Sequence, residues 1–303
     1  MKQKIIAIVG PTAVGKSDFA VSLAKSIGRK GIRAEIISAD SRQVYKGLDI
    51  GSGKITKREM KGIPHHLLDI ASLKKPARTN VQSGGVFAVS DFISHAKKAI
   101  KEISARGNVP IVVGGTGFYI DTLLRGIEIP EVPPNVTLRK KLEKKSIVAL
   151  FKILKKLDPR RAKEIDGKNP ARLIRAIEIA TALGKVPKHP TKGRAGKQKS
   201  DYDVLWFGLT APREILKEKI EKRLKARLKI GMLREVKNLH EKQKISWKRL
   251  ESLGLEYRYC ALCLQNKLSR AEFESLLALK IYQYAKRQET WFKRYKDIEW
   301  ISS

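Results

Sequence analysis

Residues 10–17 of this 303-residue chain, Gly-Pro-Thr-Ala-Val-Gly-Lys-Ser, constrain its fold more than any other segment. The segment follows a short apolar run at residues 5–9 and precedes apolar residues at helical spacing, Phe19, Leu23 and Ile27. A strand, the pattern GxxxxGK[ST] and a helix in this order predict a phosphate-binding loop rather than an ordinary glycine-rich turn. The backbone N–H groups of such a loop point at phosphate oxygens, and the helix adds the positive end of its dipole.

The side chains of this loop have expected roles at a ligand's diphosphate or triphosphate. The Lys16 ammonium reaches the terminal phosphate, and the Ser17 hydroxyl ligates Mg²⁺, the expected cofactor. The pattern is typical of nucleotide-binding and ATP-binding proteins. The predicted diphosphate-binding residues are Gly10, Pro11, Thr12, Ala13, Val14, Gly15, Lys16 and Ser17.

Charge is the strongest bulk feature of the sequence. The chain has 64 Lys and Arg residues against 30 Asp and Glu residues, a formal net charge of +34 that solubility alone does not require. We expect a polyanion as partner, RNA or DNA rather than a membrane. A generally basic proteome is the alternative source for part of this charge.

The sequence offers no signal for a membrane or for export. It contains no run of 18 consecutive apolar residues, so we expect no membrane-spanning helix. The first residues lead directly into the strand before the phosphate loop, so we do not expect them to form a removable signal. The expected localisation is cytoplasmic.

Three further apolar runs predict strands of the same parallel sheet, at residues 34–39, 109–113 and 203–209. Ligand-binding residues lie just beyond the carboxyl ends of such strands, so we expect Asp40 beside the phosphate loop. The 109–113 run ends in glycines and Thr116, whereas a P-loop enzyme that hydrolyses nucleotides usually has an acidic residue there. This difference argues against an ATPase, although Asp40 could itself be the carboxylate on the magnesium side.

The composition changes after residue 124. Prolines indicate a linker, residues 139–163 contain eleven Lys and Arg against two acids, and residues 185–199 have the composition of a mobile loop. We predict an inserted basic helical subdomain at 125–200 that binds RNA. The remaining residues, 1–124 and 201–303, form the catalytic core. The predicted fold class is α/β, a P-loop NTPase-like parallel sheet with helices on both faces plus the inserted helical subdomain.

The last predicted helix ends in residues 284–294, where aromatic side chains interleave with Lys and Arg. Such a segment suits RNA, because the rings stack on bases while the cations neutralise phosphates. The alternative is a solvated helix end with two buried aromatic residues.

Together these segments resemble the tRNA dimethylallyltransferases (tRNA isopentenyltransferases). The blocks at 39–45 and 286–292 are highly specific for that family, whereas the phosphate loop alone is not. The matching blocks follow the family's order over nearly the whole chain: residues 10–17, Ala-Asp-Ser-Arg-Gln-Val-Tyr at 39–45, Asp-Ile-Gly at 49–51, His-His-Leu-Leu-Asp at 65–69, Val-Gly-Gly-Thr-Gly at 113–117, Asp-Pro at 158–159, Arg-Ala-Ile-Glu at 175–178, the helix around Arg223 and Gly231, and Lys-Arg-Gln-Glu-Thr-Trp-Phe at 286–292.

The resemblance implies transfer of a dimethylallyl group from dimethylallyl diphosphate to N6 of adenosine 37, beside the tRNA anticodon. Negative charge then grows on the leaving diphosphate, where Lys16, Arg223 and Mg²⁺ on Ser17 are expected to stabilise it. Asp40 is expected to accept or orient the proton of the exocyclic amine. Thr116 supports the reactive centre, and the target base leaves the anticodon stack to reach it.

The resemblance also implies which residues contact tRNA. The expected partners are the anticodon stem-loop of tRNA and dimethylallyl diphosphate, and the protein is expected to be a monomer. The predicted tRNA-binding residues are Asp40, Ser41, Arg42, Gln43, Thr116, Lys168, Asn169, Arg172, Arg175, Lys286, Arg287, Gln288 and Trp291.

The chain departs from the family pattern in a few places. The segments at 51–54 and 253–258 differ from the usual sequences, and an apolar residue is usual near Arg227. These departures bear on tRNA preference more than on the reaction.

Three other functions fit part of the sequence. A P-loop kinase of a nucleoside or small metabolite would share the loop but would not need the basic insertion or the 286–292 block. An isopentenyltransferase acting on free AMP or ATP would leave the insertion unexplained. A non-catalytic RNA-binding module would not need both Lys16 and Asp40.

Overall fold

The computed structural model describes residues 2–74, 86–187 and 200–302, so residues 188–199 of the predicted mobile loop lie outside it. No helix in these ranges is long and apolar enough to cross a membrane. In chain order the elements are β1 (Gln3–Val9), α1 (Lys16–Gly28), β2 (Ala34–Ser38), α2 (Lys57–Met60), β3 (His65–His66), α3 (Val89–Ala105), β4 (Val109–Gly114), α4 (Gly117–Leu124), α5 (Val136–Leu142), α6 (Ile147–Leu157), α7 (Pro159–Glu164), α8 (Pro170–Leu183), β5 (Tyr202–Thr210), α9 (Arg213–Lys229), α10 (Met232–Glu241), α11 (Trp247–Ser252), α12 (Leu255–Leu264), α13 (Arg270–Phe292) and β6 (Glu299–Ser302).

The strands form one parallel sheet in the order β3-β2-β4-β1-β5-β6. All five residues of β2 are buried, so both faces of the sheet are covered, as is usual for parallel sheets. The α/β fold class predicted from the sequence is confirmed. Because β1 lies beside β4, and β4 beside β2, the carboxyl ends of these three strands meet at the centre of one edge.

The two edge strands were not predicted from the sequence. β3 has two residues and β6 has four. Such short segments carry too few side chains to show a period. The four predicted strands correspond to β1, β2, β4 and β5.

Helices α5 to α8 lie within the predicted insert and share a buried core of their own, which includes Leu142, Leu150, Leu154 and Leu173. Three arginines of residues 139–163 pair with acids inside the insert. The eight lysines of the same segment are all exposed. The positive charge of the insert therefore faces solvent.

The predicted boundary at residue 125 falls on a residue that contacts the core. The guanidinium of Arg125 donates to Asp297 at 2.9 and 3.0 Å and stacks on Trp206 of β5, 4.1 Å from the ring centroid. Arg125 therefore connects α4 to the far end of the chain.

Helix α13 brings the end of the chain back to the sheet. It begins with a capping box, in which Ser269 and Glu272 satisfy each other's backbone N–H groups. The buried residues Phe273, Leu277, Ile281, Ala285, Gln288 and Phe292 recur every three to four positions on one face. Gln288 is the polar member of that face, and it lies at the edge where β1 and β4 end.

Candidate active site

A cavity of about 290 Å³ lies at the carboxyl ends of β1, β2 and β4. The loop after β1, the two strand ends beside it, a segment at 52–55 and helices α9 and α13 form its wall. Lys16, Asp40 and Arg223 line it together, although 183 residues separate the last two in sequence. This is the position where open parallel sheets bind ligands.

The loop of residues 10–17 depends on glycine at two positions. Gly10 has a φ of +142°, and a Cβ there would lie 2.4 Å from the carbonyl oxygen of Leu209 on β5. Gly15 has a φ of +99° and stands immediately before α1. A side chain at either position would strain the backbone, so the path of this loop depends on both glycines.

The Lys16 ammonium is held inside this loop, where it donates to the carbonyl oxygen of Pro11 at 2.6 Å. Burial away from water, followed by the charge of Arg223, lowers the pKa of Lys16 to about 7. Burial and then the charge of Arg227 lower the pKa of Arg223 to about 10. Arg223 also donates to the Thr12 hydroxyl at 3.4 Å. These cations are destabilised without an anion, and a bound phosphate would stabilise them.

Asp40 follows β2 and closes a turn with its own backbone. Its Oδ1 accepts hydrogen bonds from the N–H groups of Arg42 at 2.7 Å and Gln43 at 3.2 Å. Every hydrogen bond that the described residues donate to this carboxylate ends on Oδ1, so Oδ2 remains for a ligand. The N–H of Ser41 donates to the Thr116 hydroxyl at 3.3 Å, which joins the ends of β2 and β4. The two predicted catalytic residues Asp40 and Thr116 therefore lie side by side.

Two glutamines predicted to bind tRNA have their side-chain amides engaged inside the protein. Gln288 accepts from the Thr12 N–H at 2.8 Å and donates to the Gly115 carbonyl at 2.9 Å, so it ties the phosphate loop to the end of β4. Gln43 accepts from Ser38 and donates to the Gly53 carbonyl at 3.3 Å. Both side chains shape the cavity, and their contact with tRNA stays a prediction.

The end of α13 has aromatic rings on its inner side and cations on its outer side, and its contact with RNA stays a prediction. Trp291 packs against Gly117 and donates from Nε1 to Asp121 at 3.0 Å. Lys286 and Arg287 are exposed, and Arg287 lies 5.9 Å from the ring centroid of Tyr284. Tyr284 lines the cavity, and burial raises its pKa to about 12, so it is a neutral phenol. The side chains of Lys286 and Arg287 therefore lie at the surface, whereas the Tyr284 ring lies in the cavity wall.

The four predicted tRNA contacts of the insert lie outside the cavity wall. Lys168 and Arg172 are exposed. Asn169 caps α8 by accepting from the Arg172 N–H at 3.2 Å, and Arg175 donates to the Val132 carbonyl at 2.8 Å. Asn169 and Arg175 thus stabilise the insert itself, and Lys168 and Arg172 remain open to solvent.

A set of residues that the sequence analysis missed holds the segment at 49–54. The Glu235 carboxylate of α10 accepts from three successive N–H groups, those of Asp49, Ile50 and Gly51, at 2.6 to 3.1 Å. The Tyr257 hydroxyl donates to Glu235 at 2.9 Å and accepts from the next N–H along the chain at 3.1 Å. The two segments that depart from the family pattern therefore contact each other. No sequence signal marked Glu235.

The oxygen donors at the cavity fit a magnesium ion only together with a ligand. Ser17, Asp18, Asp40 and Glu59 line the cavity, but among the described residues no three His, Cys, Asp or Glu side chains cluster as a metal site. Mg²⁺ commonly takes one or two protein oxygens and completes its shell with waters and substrate phosphates. The donor set is compatible with a diphosphate-bound ion.

Known proteins match this chain over nearly its whole length. The model of the IPP transferase family matches residues 43–295. The chain is 43% identical to tRNA dimethylallyltransferase 2 of Treponema denticola, over 99% of this chain and 96% of that protein. It is 40% identical to tRNA dimethylallyltransferase 1 of Syntrophus aciditrophicus, over 99% and 94%.

Solved structures of tRNA-modifying transferases share the architecture of this chain. The full-length tRNA isopentenylpyrophosphate transferase from Bacillus halodurans superposes with a TM-score of 0.69 at 32% identity, over 99% of this chain and 90% of that one. A eukaryotic dimethylallyltransferase acting on tRNA gives a TM-score of 0.77 at 27% identity, over 99% and 74%. The sequence matches and the shared fold lead to one conclusion: this chain belongs to the IPP transferase family.

Proposed function

We propose that this chain is a tRNA dimethylallyltransferase, which moves the dimethylallyl group of dimethylallyl diphosphate to N6 of adenosine 37 and releases diphosphate. One observation carries the proposal: a single cavity holds the cations of a diphosphate site, Lys16 and Arg223, together with the Asp40 carboxylate. The full-length matches to enzymes of this name support the choice of substrate.

The phosphate loop serves the leaving group. As the bond from the allylic carbon to oxygen lengthens, negative charge grows on the diphosphate. The loop N–H groups, Lys16 and Arg223 would stabilise that charge without rearranging, because Lys16 and Arg223 are already held by Pro11 and Thr12. Ser17 would hold Mg²⁺, which would supply further neutralisation of the leaving group.

The rest of the cavity wall would serve the prenyl group of the donor and the acceptor base. Ile36, Ile55 and Val113 add apolar surface to the wall, which suits a hydrocarbon chain. Asp40 Oδ2 would accept a hydrogen bond from the N6 amine of the base and take its proton as the carbon–nitrogen bond forms. Thr116 fixes the turn that presents this carboxylate, through the N–H of Ser41.

The tRNA would be held outside the cavity by the lysines of the insert and by Lys286 and Arg287. We propose that these residues contact the anticodon stem-loop, from which the adenosine is extruded into the cavity. Because one chain supplies the whole cavity wall, a monomer would be active. A tRNA substrate would favour a cytoplasmic location for the enzyme.

Labelled dimethylallyl diphosphate tests this function. The enzyme is incubated with Mg²⁺ and one of three acceptors: tRNA with adenosine 37, the same tRNA with guanosine at position 37, or AMP. Label in the first tRNA alone is expected. Label in AMP instead would replace the proposal by a free-nucleotide isopentenyltransferase, and equal label in both tRNAs would contradict the target base.

A further inference from the structure

Helix α9 carries two arginines one turn apart: Arg223 lines the cavity, and Arg227 lies against Gly53 of the cavity wall and has no assigned role. Arg227 is only 9% exposed. Its Nη1 donates to the Gly51 carbonyl at 3.2 Å and to Glu256 Oε1 at 3.3 Å. Its Nη2 is buried without a hydrogen-bond partner among the residues that the structure describes.

Arg227 Nη2 lies against Gly53, a residue of the cavity wall. Gly53 lines the cavity and has a φ of +62°. A Cβ built on Gly53 would lie 1.5 Å from Arg227 Nη2 and 2.2 Å from Arg223 Nη2. The two guanidinium ends therefore converge on one point beside Gly53, and only a glycine leaves room for both.

Such an arrangement is unfavourable in an empty site. Two guanidinium groups at this separation repel each other, and burial removes the water that would screen them. Glu256 pairs with Arg227, and the charges of Glu256, Asp40 and Glu59 act on Arg223, but burial and the charge of Arg227 outweigh them and lower the pKa of Arg223. A buried N–H group without a partner is rare in native proteins and calls for an explanation such as a missing ligand.

We propose that Arg227 is a second anion-binding guanidinium of the diphosphate site, which donates from Nη2 to a phosphate oxygen beside Arg223. The identification of that anion as the diphosphate of a prenyl donor rests on the proposed function. The anion-binding role itself rests only on the geometry around Gly53.

The alternative is a purely structural role, in which Arg227 ties the segment at 49–54 to Glu256. The two roles differ in their prediction for a chain that lacks the Glu256 charge. If Arg227 binds the anion, Arg227→Met weakens anion binding in a Glu256→Gln background as it does in the wild type. If Arg227 is only a tether, Arg227→Met in the Glu256→Gln background weakens anion binding little further, because the ion pair is already lost.

Calorimetric titration of the full chain with inorganic pyrophosphate and Mg²⁺ tests the proposal. Arg227→Met, which keeps the length but not the charge, should bind about 10- to 100-fold more weakly, the range for a lost hydrogen bond to a charged group. Arg227→Lys should recover part of this loss, and Arg227→Met should weaken binding in a Glu256→Gln background as it does in the wild type. Lys225→Met removes an exposed charge from the same helix and should bind as the wild type.

Little further weakening by Arg227→Met in the Glu256→Gln background, or unchanged binding by a folded Arg227→Met, would overturn the proposal. If Arg227→Met does not fold, Arg227→Gln, which can still donate to the Gly51 carbonyl, takes its place and should also bind pyrophosphate more weakly than the wild type. Prenyl transfer by the wild type is measured separately. If the wild type transfers the prenyl group but Arg227→Met binds pyrophosphate as the wild type does, only the proposal for Arg227 is wrong, and the proposed function stands. If the wild type transfers no prenyl group but the variants bind pyrophosphate as expected, the prenyl donor is the wrong ligand, and the role of Arg227 in anion binding stands.

Discussion

At the residue scale, the two carboxylate oxygens of Asp40 have different roles: Oδ1 stabilises a turn, and Oδ2 is available for the reaction. Oδ1 holds the turn through the N–H groups of Arg42 and Gln43, and an asparagine oxygen can accept the same bonds. Asp40→Asn should therefore fold normally but lower the single-turnover rate by roughly 10²–10⁴, because the amine proton loses its acceptor. Rates at saturating substrate and tRNA affinity by filter binding check this. An affinity that falls as steeply as the rate would make Asp40 a binding residue.

Lys16 should determine how diphosphate binding responds to pH. With a pKa of about 7 in the free site, Lys16 is largely neutral above that pH, and a bound phosphate raises its pKa. The wild type should therefore take up a proton when it binds pyrophosphate at pH 8 and lose affinity as the pH rises above about 7. Titrations in buffers of different ionisation enthalpy measure the uptake.

Lys16→Ala provides the comparison for that titration. This variant should not show the proton uptake that comes from Lys16 when pyrophosphate binds. It should also lose on the order of 3 kcal/mol of transition-state stabilisation. Lys25→Ala, at an exposed position later in α1, should match the wild type. Turnover by Lys16→Ala near the wild-type value at saturating donor would refute the assignment.

The site residues that could be predicted are those with a local pattern. The loop at 10–17 carries a spacing that its chemistry demands, and Asp40 follows a strand that ends at the same edge. Gln288 was predicted as a tRNA contact, but its engagement with Thr12 and Gly115 depends on how α13 packs, which no local pattern encodes. Glu235 and Arg227 likewise act through segments far away in sequence.

At the element scale, α13 should control the phosphate loop through Gln288. Gln288→Glu replaces the N–H donor to Gly115 with an oxygen and adds a negative charge beside Thr12. We expect donor affinity to fall at least about tenfold and the free energy of unfolding to fall by about 1–3 kcal/mol. Gln283→Glu adds the same charge to α13 outside the cavity wall and should leave donor affinity unchanged. A loss confined to tRNA affinity would favour the direct tRNA contact instead.

The insert should bind tRNA without contributing to the donor site. Its helices share a core of their own, so a short linker in place of residues 131–199 should leave the rest of the fold, including Arg125, intact. Pyrophosphate binding should persist, while tRNA binding should fall strongly and become less dependent on salt, because fewer counterions are released. Tight tRNA binding with an unchanged salt slope would contradict this role.

Long elements were predictable from the sequence and short ones were not. Strands β1, β2 and β4 are largely buried apolar runs, and β5 is an apolar run whose buried residues lie in its second half. Helices α3 and α13 have enough turns for a period to show. The four residues of α2 and the two of β3 are too short for any such pattern. The helix predicted from the spacing of Phe19, Leu23 and Ile27 is α1, in which these three residues are partly buried and Ala20, Val21 and Ala24 are fully buried.

At the scale of the whole molecule, the positively charged side chains form two sets with different roles. Buried cations at the cavity suit a small anion, and exposed lysines on the insert suit a long polyanion. A small-molecule kinase would need the first set but not the second. The two sets together favour an enzyme that takes a diphosphate donor into the cavity and an RNA acceptor onto the surface.

The reaction products test this account most directly. The wild type is incubated with tRNA, dimethylallyl diphosphate, ATP and Mg²⁺, and pyrophosphate, ADP and modified nucleosides are quantified. We predict equal amounts of pyrophosphate and prenylated adenosine, no donor consumption without tRNA, and no phosphorylated product. Stoichiometric ADP with a phosphorylated acceptor, and no prenylated adenosine, would contradict the account in favour of a kinase.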